Sequence, residues 1–280
     1  MRNKRIIARL DIKGSDLVKG IHLEGLRVLG DPNFFAQEYY KDGADELFYQ
    51  DVVASLYKRN SLFEIVNKTS KNIFIPLTVS GGLKTIDDMK KAFNAGADKV
   101  CINTAAVKNP NLINKAANIF GSSNIVVGIE TSLNNSNSIH YVYTNNGREI
   151  TNKKTLDWSI EVSKRGAGEV AIISIDKDGT KTGYDLELIN KIKKNVSIPV
   201  IAHGGAGNIN HIYELFKYSG CDASSCSSIL HYSKFNKQDN FKQLIGNQEF
   251  LLNNEKTENK ISIQKIKNYL VKKKMKIIKN

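Results

Sequence analysis

Ile75-Pro76-Leu77-Thr78-Val79-Ser80-Gly81-Gly82 and Ile198-Pro199-Val200-Ile201-Ala202-His203-Gly204-Gly205 are one pattern written twice, at an offset of 123 from Pro76 to Pro199. Each copy is a proline, a short apolar run of strand type and a glycine pair. Proline is tolerated where a strand begins, and glycine lets the chain leave a strand in conformations other residues avoid. The repeat continues outward. Gly43-Ala44-Asp45-Glu46 matches Gly166-Ala167-Gly168-Glu169 at the same offset, and Asp51 with Asp176 and Asp11 with Glu130 match at nearly the same one. Four pairs in register point to a duplicated half.

From these two runs the pattern extends in both directions as short β-type segments alternating with amphipathic helical ones. Strands are predicted at Ile6–Ile12, Leu47–Val53, Phe74–Val79, Lys99–Asn103, Ile125–Glu130, Glu169–Ile175, Pro199–Ala202 and Ala223–Ile229. Between them lie stretches such as Ile86-Asp87-Asp88-Met89-Lys90-Lys91-Ala92-Phe93, apolar at helical spacing. Eight such units predict an α/β fold, a single (β/α)8 TIM barrel over residues 1–280 built from two similar half-barrels. The polar, Asn-rich stretch 233–260 reads as a loop insertion before a last helix at Ile261–Lys274.

Composition narrows the function. With 41% hydrophobic and 25% charged residues the chain is globular. No apolar run approaches the ~18 residues of a membrane span. Three cysteines, Cys101, Cys221 and Cys226, with no CxxC pair read as reduced thiols of a cytoplasmic protein. The net charge of +13 lies on lysine-rich helical stretches and the tail, without the aromatic interleaving of a nucleic-acid surface. It favours anionic small substrates and excludes nucleic acid. No His or Cys spacing suits a metal, and no cofactor is implied.

The mouth of such a barrel, at the C-terminal ends of its strands, is where chemistry is expected. Gly81-Gly82 and Gly204-Gly205 would bring backbone N–H groups close to phosphate oxygens. Asn103-Thr104 and Ser227-Ser228 end the neighbouring strands as further donors. A lone Gly-Gly merely turns a chain; two at the repeat offset favour paired phosphate cradles. Asp11 and Glu130 face each other as candidate acid–base carboxylates, and Asp51 and Asp176 form a second opposed pair. Asp51 or Asp176 alone would serve equally as a structural cap, and His203 as a local hydrogen-bonding group. At the opposite end Arg5, Glu46, Lys99 and Glu169 start four strands. Two cations and two anions can pair into a ring across the floor, which stability or passage of a small neutral molecule would explain equally.

These residues carry a resemblance. Arg5-Ile6-Ile7-Ala8-Arg9-Leu10-Asp11, Val18-Lys19-Gly20, Gly96-Ala97-Asp98-Lys99, Ile102-Asn103-Thr104-Ala105-Ala106-Val107, Asp178-Gly179-Thr180 and Gly204-Gly205-Ala206-Gly207-Asn208 resemble the cyclase subunit of imidazole glycerol phosphate synthase. The resemblance spans about Arg5 to His231 and resumes in the last helix. It implies a barrel paired with a glutaminase subunit, whose ammonia enters through the floor and attacks a bis-phosphorylated ribulosyl aminoimidazole carboxamide at the mouth. It assigns Asp11 and Glu130 to catalysis and Lys19 to a mobile first loop over the substrate. Gly82, Asn103 and Thr104 would hold one phosphate; Asp178, Gly179, Gly205, Ser227 and Ser228 would serve the other, while Asp51 and Asp176 are placed toward substrate by their strand-end positions alone. Arg5, Glu46, Lys99 and Glu169 become an ammonia gate, and Asp98 faces the glutaminase.

The resemblance also exposes departures. Glu130 stands where the family has aspartate, Arg9 where it has cysteine, Ser80 where it has glycine and Ile173 where it has threonine. Gate and partner positions are kept while the reaction centre is altered. Three functions follow: the cyclase of histidine biosynthesis, a paralogue delivering ammonia to another acceptor such as a surface-polysaccharide sugar, and a phosphate-binding barrel isomerase without a partner.

Overall fold

The computed structural model describes residues 3–54, 61–234 and 261–278. In chain order its strands are β1 (Arg5–Lys13), β2 (Asp16–Ile21), β3 (Glu24–Gly30), β4 (Glu46–Asp51), β5 (Leu77–Ser80), β6 (Lys99–Ile102), β7 (Ile125–Asn134), β8 (Ile139–Thr144), β9 (Glu149–Lys154), β10 (Glu169–Ser174), β11 (Val200–His203) and β12 (Ala223–Cys226). The helices are α1 (Pro32–Lys41), α2 (Ser61–Ser70), α3 (Ile86–Asn94), α4 (Thr104–Lys108), α5 (Asn111–Phe120), α6 (Thr155–Lys164), α7 (Leu186–Asn195), α8 (Ile209–Glu214), α9 (Ser228–Lys234) and α10 (Ile263–Lys272). Strands β1, β4, β5, β6, β7, β10, β11 and β12 pair in parallel in that order, and β12 pairs back to β1. The expected (β/α)8 barrel is therefore closed. Among the described residues no helix is long and apolar enough to cross a membrane.

Strand periodicity sorts β1 into two faces. Ile6, Ala8, Leu10 and Ile12 pack outward among the helices, in one large buried cluster. Ile7 points inward to a small plug with Phe48, Cys101, Val126, Ala171, Ile173, Ile201 and Ala223. Arg5, Arg9 and Asp11 share that inward face, so β1 alone threads the barrel from floor to mouth with charge at both ends.

Several boundaries depart from the sequence reading. The third barrel strand begins at Leu77: the Pro76 carbonyl accepts from Leu47, but Phe74 lies 79% exposed outside the sheet. The fourth stops before Asn103, whose backbone at φ −124° and ψ −87° turns into α4. The eighth ends at Cys226, and Ser228 already belongs to α9. Two antiparallel hairpins were not anticipated. β2–β3 grows from β1 beyond Asp11, and β8–β9 from β7 beyond Glu130, with Asp11 opposite Val18 and Glu130 opposite Tyr143. Each half-barrel thus carries the same ornament on the strand that bears its carboxylate. Of the expected 233–260 insertion, Ser233 and Lys234 end α9, and 235–260 lie outside the described residues.

The last helix is fastened to the first strand. Lys267, buried on α10, places Nζ 2.7 Å from Asp45 Oδ1, and Asp45 Oδ2 accepts from the Ile6 N–H at 2.7 Å. Asp45→Ala breaks a buried ion pair and frees the buried Ile6 amide, so it is expected to cost about 3–5 kcal/mol in denaturant unfolding. A loss near zero would show that the link carries no stability.

Candidate active site

Arg9 and Asp11, both buried, form the centre of the mouth. Arg9 Nε lies 2.8 Å from Asp11 Oδ1, and Lys19 Nζ lies 3.2 Å from Oδ2. Burial alone would raise the Asp11 pKa, but Arg9 and then Lys19 overrule it and bring it down to about 2. Asp11 is thus a fixed anion. Lys19 also meets both oxygens of Asp178 at 2.9 Å. Burial likewise opposes ionisation of Asp178, yet Lys19 and His203 hold it well below the usual carboxylate range. His203 Nδ1 donates to the Ser225 carbonyl at 3.0 Å, while Nε2 stands 3.2 Å from Asp178 Oδ1, out of line for a hydrogen bond. Burial, then Arg9, pushes the imidazole pKa down.

Across the barrel Glu130 has the opposite character. Burial pushes its pKa up, and the Gly147 N–H, 2.8 Å from Oε2, and Arg9 only partly offset this. Held above the ordinary glutamate range, Glu130 is suited to exchanging a proton, and burial raises the pKa of Asp51 on the same cavity as well. Gly147 closes the β8–β9 turn, where Asn145, Asn146 and Gly147 all have positive φ. That run sits between alternating residues and is a hairpin signal legible in the sequence.

The two cradles differ. Beside Glu130 a cavity of about 350 Å³ is lined by Asp51, Gly82, Asn103 and Thr104, as expected, and by Lys84, Lys108, Asn145 and Asn146, which sequence reasoning missed. A buried Asn103 Oδ1 has no partner among the described residues. Gly81 at φ +100° is obligatory, since a Cβ would stand 2.4 Å from the Asp51 carbonyl oxygen. Ser80 lines the cavity but turns its hydroxyl to the Cys101 carbonyl at 3.1 Å. Asp178, Gly179, Gly205, Ser227 and Ser228 also converge, around only about 10 Å³. The β2–β3 hairpin closes it: the N–H groups of His22 and Leu23 bond the Asp178 carbonyl and carboxylate, at 2.9 and 3.3 Å. Lys19, expected on a mobile loop, is a buried residue of β2. Asp176 is not brought into the mouth. It is exposed and ties down the outer end of β7 through Ser132 and the Leu133 N–H.

At the floor the four charges do form a ring. Arg5 bonds Glu46 and reaches Glu169 at 2.9 Å, while Lys99 reaches Glu46 at 3.2 Å and Glu169 at 2.8 Å. A funnel of about 570 Å³, lined by Arg5, Lys99 and Glu169 among others, opens beneath it. Asp98 is exposed beside it and accepts from the Leu77 N–H at 2.9 Å. Inside the barrel, Arg9 (whose direction the sequence left open) lies over the Phe48 ring, 5.7 Å from its centroid. Ile173 faces the interior plug.

Enzymes of the (β/α)8 class carry their catalytic groups at this end of the barrel, and the fold with this mouth defines a barrel enzyme. Comparison with known proteins gives its kinship. The family model described as "Histidine biosynthesis protein" matches residues 5–236, and the chain belongs to that family. It is 54% identical over 209 residues to the protein named imidazole glycerol phosphate synthase subunit HisF from Legionella pneumophila, covering 75% of this chain and 98% of the relative. The protein of the same name from Methanocaldococcus jannaschii is 46% identical over 253 residues, covering 84% and 93%. That from Lactococcus lactis subsp. cremoris is 43% identical over 247 residues, covering 88% and 95%.

Proposed function

We propose that this chain is the cyclase subunit of an imidazole glycerol phosphate synthase in histidine biosynthesis, a lyase of the glutamine-amidotransferase type. A glutaminase subunit docks on the barrel floor around Asp98 and releases ammonia. The ammonia passes the Arg5–Glu46–Lys99–Glu169 ring and reaches a bis-phosphorylated ribulosyl aminoimidazole carboxamide at the mouth. The products are imidazole glycerol phosphate and an aminoimidazole carboxamide ribotide. The observation that carries this reading is the closed ion ring beneath a mouth with two opposed buried carboxylates. A ring made of mutual pairs excludes hydrated ions and can part for a small neutral molecule.

At the mouth, Gly82, Asn103 and Thr104 with Lys84 and Lys108 receive one phosphate in the open cavity. The second phosphate goes to Gly179, Gly205, Ser227 and Ser228 once the β2–β3 hairpin lifts and Lys19 leaves Asp178. Asp11 is the fixed anion and Glu130 the proton carrier.

One observation favours a second reading, a paralogue delivering ammonia to another acceptor. The second cradle is shut to about 10 Å³, so a substrate with a single anionic end would fit without moving the hairpin.

The test supplies the purified chain with the bis-phosphorylated ribulosyl substrate and excess ammonium at mildly alkaline pH. Turnover is expected; substrate that binds without reacting would decide for the second reading. With the glutaminase subunit added, Lys99→Ala opens the ring and is expected to alter glutamine-driven turnover several-fold more than ammonium-driven turnover. Equal effects would argue that the ring is structural only.

A further inference from the structure

We infer that Arg9 is a catalytic residue: its two terminal guanidinium nitrogens hold the carbonyl oxygen of the ammonia acceptor and stabilise the negative charge that forms there. This rests on the ammonia-dependent reading above. Arg9 is 2% exposed on the inward face of β1. Its Nε is spent on Asp11 at 2.8 Å, and the group lies against the Phe48 ring. The other two nitrogens donate to no acceptor among the described residues. They are not among the fully enclosed unpartnered atoms, so an acceptor entering the mouth can reach them. The buried His203 Nε2 and Asn103 Oδ1, on the strand ends to either side, also lack hydrogen-bond partners.

Charge balance selects the chemical class of that acceptor. Arg9 and Lys19 are matched by Asp11 and Asp178. A substrate carboxylate here would be a further buried anion without a counter-charge, which is expensive. A neutral carbonyl adds no charge until it reacts. Position agrees with this. Ascending the inward face of β1, the order is Arg5 in the floor ring, Ile7 in the apolar plug, then Arg9. Ammonia rising along β1 meets Arg9 as that strand's first charged group above the floor ring, and a ribulosyl group, being a ketose, offers it a ketone.

The step balances without any oxidant. The ammonia lone pair forms the C–N bond, and the C=O π pair moves onto the oxygen, facing the guanidinium. The Glu130 carboxylate takes one proton from nitrogen and passes it to that oxygen, giving a carbinolamine. The nitrogen lone pair then expels the hydroxyl group, which leaves as water with a second nitrogen proton relayed by Glu130. Ketone and ammonia become imine and water. Arg9 acts only on the oxygen, the role of preorganised donors aimed at developing charge.

The experiment measures kcat and KM of Arg9→Ala and Arg9→Lys with the ribulosyl substrate and saturating ammonium, with and without added guanidinium chloride. Arg9→Ala is expected to lower kcat on the order of 100- to 1000-fold with KM little changed. Guanidinium in the buffer is expected to restore much of that loss, and methylammonium is not. Arg9→Lys keeps the charge but loses the planar pair of donors, and should remain impaired. Near-normal kcat in Arg9→Ala overturns the inference, as does full activity in Arg9→Lys, since a balancing charge for Asp11 would then suffice. Loss of activity in Arg9→Ala that guanidinium does not rescue overturns it as well. A wild-type chain that leaves the ribulosyl substrate unchanged fails the proposed function, and the inference with it. Wild-type turnover matched by Arg9→Ala fails the inference alone.

Discussion

Asp11→Asn is expected to reduce ammonia-dependent turnover by at least about 1000-fold while leaving the barrel folded. Losing a fixed charge that is preorganised at the reacting centre by itself accounts for roughly 100- to 1000-fold. Asp11 also orients its neighbours: it receives Arg9 Nε on one oxygen and Lys19 Nζ on the other. Asparagine keeps the shape but removes the charge, leaving Arg9 with only more distant anions and Lys19 with Asp178 alone. Residues acting as one unit are not additive, so Asp11→Asn combined with Arg9→Ala should be little worse than the poorer single variant. Turnover by ammonium assay and thermal melts of all three variants check both parts. An Asp11→Asn enzyme within tenfold of wild type would remove Asp11 from the reaction, and strictly multiplicative losses would separate it from Arg9.

The barrel was legible because its signals are local and repeated. Pro76 and Pro199 mark the entries to two strands, glycine pairs mark their exits, and the eight-unit alternation follows from period alone. The floor ring was legible for a related reason: four charges at four strand starts have only one another for company inside a barrel. What escaped had its cause in tertiary packing. Lys19 lies in a short run, Leu17-Val18-Lys19-Gly20-Ile21, without strand alternation, that reads as a strand only once Asp11 of β1 is known to pair with Val18. Asp176 occupies the repeat position of Asp51, yet the chain beyond β10 turns outward and carries it to Ser132, leaving Asp178 to face the mouth. Lys84 and Lys108 reach the first cavity from loop and helix, where lysine ordinarily signals only a solvated face. Arg9 was visible as an oddity, but only its parity with Arg5 and Asp11 on the inward face of β1 shows where it points.

Glu130→Gln is expected to lower turnover by roughly 100- to 10,000-fold and to abolish the acid limb of the pH profile. The proton relay needs Glu130 as a carboxylate at the moment nitrogen gives up its proton. Burial raises its pKa, so activity should fall as pH drops through a value above the ordinary glutamate range. Facing it are the Gly147 N–H from the β8–β9 turn, Asn103 after β6, Arg148 on the turn and Arg9 from β1. Asp11 cannot supply that limb, because Arg9 and Lys19 keep it ionised down to about pH 2. The competing titrating groups are His203, with a pKa lowered by burial and Arg9, and Asp51, with one raised by burial. The profile is therefore measured on wild type, Glu130→Gln, His203→Asn and Asp51→Asn with the concentration of uncharged ammonia held constant. An acid limb that survives in His203→Asn and Asp51→Asn and vanishes in Glu130→Gln assigns the proton carrier. The reverse pattern would transfer that role to His203, and with it the reacting centre to the side of the mouth where the hairpin is shut.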